Sequence, residues 1–183
     1  MCASMEEPCM ISTDWRRLLQ ERLPIYGHRN WIVIADSAYP AQSRPGIETV
    51  TTNVDQLAVV GEVFSQLGKF RHIRPIVYLD AELPQVPEKY APGIGDYRDQ
   101  LKKLLGERMV QSVAHEQIID KLDKAGEKFN VLILKTNLAL PYTSVFLELD
   151  CGYWSDEAEQ QLREIMKIHH KEHKRRHKNH IDL

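Results

Sequence analysis

Cysteine is scarce in this sequence: Cys2, Cys9 and Cys151 are odd in number, widely spaced and contain no C-x-x-C pair. Such spacing argues against a disulfide scaffold or a structural zinc site and makes a reducing compartment the default. No apolar run approaches the roughly 20 residues a membrane helix needs. The first residues, Met1-Cys-Ala-Ser-Met-Glu-Glu-Pro, have neither the basic start nor the apolar stretch of a secretory signal. A cytoplasmic protein with no membrane partner is the expectation. The phosphate loops G-x-x-x-x-G-K-[ST] and G-x-G-x-x-G are missing, and Gly93-Ile-Gly95 is an isolated fragment in a Pro-rich stretch. H-E-x-x-H and G-x-S-x-G are missing too. Nucleotide chemistry, zinc proteolysis and α/β-hydrolase chemistry therefore lose their usual signatures. A charge excess of one sign is also lacking: 24 Lys+Arg stand against 26 Asp+Glu, a net charge of −2, so the chain is no generally basic nucleic-acid binder.

What is present suits one folded domain. The 183 residues are 43% apolar, enough for one sizeable core and too few for two. The small net charge hides an asymmetry. Residues 166–183 carry six Lys or Arg against Glu172 and Asp182, together with five of the eight histidines, which leaves the remainder acidic.

Residues 1–11 read as a flexible leader. Ser12 or Thr13 is placed to cap a helix that begins near Asp14 and buries Trp15, Leu18, Leu19 and Leu23 at helical spacing. Residues 31–36, 48–52, 75–79, 109–113, 131–136 and 144–149 read as strands. Helices are expected after a cap at Asn53 and up to Gly68, over 96–105, over 115–125, and after a cap at Ser155. Residues 81–95, with Pro84, Pro87 and Pro92, are expected to be irregular. Strands alternating with helices predict an α/β fold, with helices packed on a mixed or mainly parallel sheet. Leu18, Leu19, Val60, Val63 and Phe64 are core-facing positions. Tyr153-Trp154 is expected to pack between sheet and final helix and Cys151 to be a small buried hydrophobe; Tyr90 and Tyr97 lie in or beside the long loop, and the sequence does not decide whether they reach a neighbour's pocket.

Chemistry is expected around the first strand. Gly27-His28-Arg29-Asn30 leads into it and Asp36-Ser-Ala-Tyr-Pro40 leaves it. In open α/β sheets, ligands bind outside the carboxyl ends of strands, where Asp36 stands. A histidine and a carboxylate suffice for acid–base work on a hydroxyl group. Each alone is as readily a loop residue or a turn cap.

Gly27-His28, then Asp36-Ser-Ala-Tyr-Pro-Ala-Gln-Ser43, then Ala114-His115-Glu116-Gln117, then Pro141-Tyr142-Thr143-Ser144-Val-Phe-Leu147 is an ordered set. It resembles the ribose pyranase / fucose mutarotase (RbsD/FucU) family over roughly residues 12–150. The resemblance implies an RbsD-like domain over 12–154, with 155–183 an added helix and basic, His-rich tail. It implies a cofactor-independent isomerase that interconverts anomers, or pyranose and furanose forms, of a free monosaccharide. By position, His28 resembles the proton donor and Asp36 a catalytic and sugar-hydroxyl partner. His115, Tyr142, Thr143 and Ser144 fall on sugar-holding positions. The resemblance further implies no metal and no cofactor, and a homo-oligomeric ring, pentamer or decamer, with sites at subunit boundaries.

Asn30 and Ser144 stand where the family pattern has Asp and Asn. A member that binds sugar without turnover, as sensor or scaffold, is the alternative. Residues 28 and 36 flank one strand, so an extended path separates them by some 25 Å. Either the Gly27–Asn30 segment curls back or the two residues serve one pocket from different subunits, and the second is the expected resolution. His169, His173 and His177 recur at i, i+4 and i+8, but lysines interleave and no metal site is assigned to them. The basic tail lacks interleaved aromatics, and no nucleic-acid partner is assigned.

Overall fold

The computed structural model describes residues 14–178, and the surroundings of side chains through His169. The leader, Ser12, Thr13, Cys2 and Cys9 lie outside the described residues, as do the side chains of His173 and His177. Helix α1 (Trp15–Arg22) starts at Asp14, whose carboxylate accepts from the Arg16 amide at 3.1 Å. Then follow β1 (Trp31–Ala35), β2 (Ile47–Thr51), α2 (Gln56–Leu67), β3 (Ile73–Asp80), a 3-10 turn at Leu83–Gln85, and α3 (Ile94–Leu105). The chain continues through β4 (Val110–Val113), α4 (His115–Gly126), β5 (Val131–Lys135), β6 (Val145–Cys151) and α5 (Asp156–Lys178).

The strands form one sheet in the order β2-β5-β1-β6-β3-β4. Only β6 runs antiparallel to its neighbours; β1–β5, β2–β5 and β3–β4 are parallel pairs. Hence β1, β2, β3, β4 and β5 all finish on the edge of the sheet where β6 begins. This is the mixed α/β sheet the alternating pattern predicts.

Central strands are apolar throughout because both faces are covered. On β1, Ile32 and Ile34 join the larger core under α1, α2 and α3, while Trp31, Val33 and Ala35 join the smaller core under α4. The alternation is the period of two that a strand imposes. On β6 the larger-core side stays apolar at Val145, Leu147 and Leu149. The other side changes from Phe146 to Glu148 and Asp150, where α4 no longer covers it.

Several local expectations are corrected. The cap of α2 is Asp55, which accepts from the Ala58 amide at 3.2 Å; Asn53 instead takes a left-handed φ of 54° two residues earlier. A short side chain with a nearby carboxamide tolerates that turn. Tyr153 is 78% exposed and Trp154 lies on the surface, its indole N–H donating to Glu159, so neither packs between sheet and helix. Cys151 is half-buried. Tyr97, which the sequence left open, is buried in the larger core, its hydroxyl accepting from Gln56 of α2. Ser155 does cap α5, accepting from the Ala158 amide at 3.2 Å.

Candidate active site

The edge where five strands finish collects Asp36 after β1, Asp80 at the end of β3, His115 at the start of α4, and Ser144 just before β6. A cavity of about 240 Å³ opens there, lined by Asp36, Ala38, Tyr39, Pro40, His115, Pro141 and Tyr142.

Asp36 is held from both sides. Its Oδ1 accepts from the Ala38 amide at 2.9 Å, and its Oδ2 accepts from the Ser144 hydroxyl at 2.9 Å. It remains 9% exposed. Ser144 itself is fully buried behind Asp36, and so acts on the carboxylate rather than lining the cavity. Thr143 is also buried, with its hydroxyl donating to the Leu140 carbonyl at 2.8 Å. Tyr142 alone of this trio faces the opening. It adopts a left-handed φ of 57°, and its ring meets the His115 ring edge-on at 5.5 Å.

That strained turn is fixed from beneath. The Tyr97 hydroxyl donates to the Thr143 carbonyl at 2.7 Å and accepts from the Gln56 amide at 2.9 Å. Thr136 Oγ1 sits between the Gln56 carbonyl at 3.0 Å and the Ala35 carbonyl at 2.9 Å, its one proton shared between them. A satisfied buried network of this kind holds one geometry, since any displacement strands a polar group out of water.

His115 and Asp80 form a pair absent from the sequence reading. Asp80 Oδ1 lies 3.1 Å from His115 Nδ1, which leaves Nε2 as the unengaged ring nitrogen. The Asp80 side chain has no exposure, and its Oδ2 has no hydrogen-bond partner. Burial pushes the Asp80 carboxyl up to about 6; the contact with His115 opposes this, and nearby Glu82 and Asp36 add to it. Glu82 caps α4 from the loop: both its oxygens accept from the His115 amide at 3.2 Å, placing negative charge at the helix N-terminus. Tyr39, buried and hydrogen-bonded to Gln42, is held above its ordinary phenol range by burial and by Asp80 and Asp36.

Asp80 sets a pH dependence of stability. Between pH about 4 and about 6 the folded chain holds a proton there that the unfolded chain releases, so stability falls as pH rises through this window. A shift of this size corresponds to about 2–3 kcal/mol. Urea unfolding of wild type and Asp80→Asn at pH 4 and pH 7 is expected to show that loss in the wild type and a flatter profile in the variant. Equal slopes would contradict the assignment.

His28 is elsewhere. It stands before β1, at the opposite edge, with Nδ1 3.2 Å from Asp150 Oδ1 and Nε2 accepting from Arg29 at 3.0 Å. It lines a separate, charged depression of about 540 Å³ with Arg74, Arg108, Glu148 and Asp150. Within one protomer it shares no cavity with Asp36, because all of β1 lies between them, about 17 Å of strand. Among the described residues no group of three or more His, Cys, Asp or Glu is arranged to hold a metal ion.

Compared with solved structures, the chain superposes on RbsD of Bacillus subtilis, solved in complex with D-ribose. The TM-score is 0.51 at 17% identity, covering 80% of this chain and 98% of that one. The fold is that of RbsD. FucU from Bifidobacterium longum (TM-score 0.49, 16% identity, 73% and 92% coverage) and the fucose mutarotase of Streptococcus pneumoniae in complex with L-fucose (0.47, 18%, 76% and 93%) are also similar. No protein-family model and no curated protein matches the sequence. The described helices include none long and apolar enough to cross a membrane.

Proposed function

We propose that the protein is an isomerase that interconverts the anomers, or the pyranose and furanose forms, of a free monosaccharide at the cavity between Asp36 and His115. The observation that carries this reading is the juxtaposition of two differently supported proton-handling groups beside an aromatic ring: Asp36 fixed by Ser144, and His115 backed by buried Asp80. The RbsD fold, seen in the Bacillus subtilis protein with D-ribose, supports a sugar as the ligand class.

Opening a cyclic hemiacetal requires a proton delivered to the ring oxygen and another removed from the anomeric hydroxyl. The ring C–O bond breaks as the carbonyl forms, and closure on the other face returns both protons. No electron sink is required. With Asp80 ionised, its Oδ1 accepts from His115 Nδ1–H, and in the form that carries a proton on Nε2 as well, His115 delivers that proton to the ring oxygen and takes it back on closure. Asp36, its two oxygens already oriented, takes or returns the second proton. Tyr142 offers a ring for a sugar face and a phenol for a hydroxyl. Thr143 and Ser144 contribute through the turn that aims Tyr142 and Asp36.

His28 enters this scheme from a second copy. In a homo-oligomeric ring, its edge of one subunit meets the cavity of the next, and it adds a proton donor there. The interface is then heterologous, so mixing His28→Ala chains with Asp36→Ala chains restores both groups at about one quarter of sites. Exchange at the anomeric protons, read by NMR, is expected to recover in the mixture. No recovery after demonstrated subunit exchange, or full activity in His28→Ala alone, would remove His28 from the site.

A further inference from the structure

His28 has partners to which the sugar reading gives no part. The chain turns sharply over Gly27–Asn30, where Arg29 takes a left-handed φ of 75°. Asn30 braces that turn: its side-chain oxygen accepts from the Gly27 amide at 2.8 Å, and its side-chain NH2 donates to the Asn130 carbonyl at 3.2 Å. Two backbone bonds then carry the β1–β6 pairing past the start of β1. The Arg29 amide donates to the Leu149 carbonyl, and the Leu149 amide to the Asn30 carbonyl, each at 2.8 Å. That register sets Asp150, the next residue on β6, beside the His28 ring.

The Asp150 carboxylate is divided between two groups. Its Oδ1 lies 3.2 Å from His28 Nδ1, and its Oδ2 accepts from Nε and Nη2 of Arg74 at 2.9 and 2.7 Å. Burial opposes its charge, but Arg74, the Cys151 amide and His28 hold the carboxyl below its ordinary range. Asp150 is therefore ionised at neutral pH and can only accept. On the far side of the ring, Arg29 Nε donates to His28 Nε2 at 3.0 Å. A guanidinium can only donate. A neutral imidazole has one donor nitrogen and one acceptor, so both contacts require the same tautomer: a proton on Nδ1 and a lone pair on Nε2. The two contacts differ in firmness. Asp150 is 20% exposed and clamped by the Arg74 fork, whereas Arg29 is an exposed side chain that can swing away. Arg108, Glu148 and Asp156 line the same depression, and none of them is hydrogen-bonded to the ring.

We infer that Asp150 is the positioning residue of His28: it fixes the ring with Nδ1–H toward the sheet and Nε2 outward, so that Nε2 is the nitrogen His28 brings to the cavity of a neighbouring copy. The arrival of His28 at that cavity rests on the isomerase reading; the tautomer does not. Asp150 thus does for His28 at one edge of the sheet what Asp80 does for His115 at the other.

The test is NMR of the full-length chain carrying nitrogen-labelled histidine, without sugar, at a pH of about 8, above the ordinary histidine range. Protonated and unprotonated ring nitrogens resonate far apart, and the His28 signals are those that vanish in His28→Gln. Wild type is expected to show Nδ1 protonated and Nε2 bare. In Asp150→Asn the carboxamide keeps its oxygen on Arg74, where only an acceptor fits, and turns its NH2 to His28 Nδ1, so the tautomer is expected to reverse. Arg29→Met is expected to keep the wild-type tautomer. A proton on Nε2 in the wild type, no reversal in Asp150→Asn, or reversal in Arg29→Met overturns the inference; the wild-type spectrum alone can do so if a variant does not fold. Anomeric exchange then separates this inference from the isomerase reading. Where wild type accelerates exchange and His28→Ala does not, Asp150→Asn is expected to lower kcat by about 10²–10⁴-fold with KM little changed, as for loss of one acid–base group. An unchanged kcat overturns the positioning role and leaves the isomerase reading intact. Full activity in His28→Ala removes His28 from the isomerase reading, while the tautomer reversal still establishes Asp150 as the group that orients it.

Discussion

Asp36→Asn is expected to slow anomeric exchange by about 10²–10⁴-fold, the usual contribution of one general acid–base group. The substitution keeps the shape of the side chain. The amide oxygen can still accept from the Ala38 amide, and the other end can still meet the Ser144 hydroxyl, so the fold and the cavity are retained. What is lost is the carboxylate that takes a proton. Sugar binding is therefore expected to weaken far less than turnover falls, which separates a chemical role from a positional one. Saturation transfer between the anomeric protons of the sugar measures the rate, and broadening of ligand signals measures binding. An unchanged exchange rate in Asp36→Asn would show that this carboxylate does no proton transfer.

The second large effect is on stability. Phe146 is a large, fully buried side chain in the smaller core, on β6 opposite Val33 of β1 and Tyr78 of β3. Its ring lies 6.1 Å from that of Tyr39, which lines the cavity. Phe146→Ala is expected to cost about 3–5 kcal/mol, through lost transfer energy and the void left behind. With a urea slope of about 2 kcal/mol/M, the unfolding midpoint falls by roughly 2 M. Phe146→Leu, which refills most of the space, is expected to cost much less. Activity should fall with Phe146→Ala even where the chain stays folded, because the wall carrying Tyr39 loses its support. Equal midpoints for the alanine and leucine variants would contradict the packing described.

The strands were legible in the sequence because their hydrophobic patterns are local. Trp31–Ala35 and Val131–Leu134 are continuous apolar runs, and in the structure they lie on adjacent central strands covered on both faces. Helix starts were legible only to within a residue or two. Asn53 and Asp55 are both good caps, and which one serves depends on where β2 releases the chain after Thr52, whose amide donates to the Lys135 carbonyl.

The site was legible in part. Asp36, His115 and Tyr142 were singled out, and the structure places them around one cavity. Asp80 was missed because its partnership with His115 is set by the register of β3 against β4, across 35 residues. One signal was available: Leu79-Asp80 closes a strand just as Ala35-Asp36 does. Tyr97 and Gln56 carried no such mark, since each serves the turn at Tyr142 only through contacts 41 to 87 residues away.

The most direct test is wild-type protein with a panel of free monosaccharides, D-ribose and L-fucose among them, followed by saturation transfer at the anomeric protons at neutral pH. Exchange is expected to be accelerated well above the buffer rate for at least one sugar, and to be lost on Asp36→Asn. Binding with no acceleration for any sugar would contradict it and leave a sugar-binding protein without turnover.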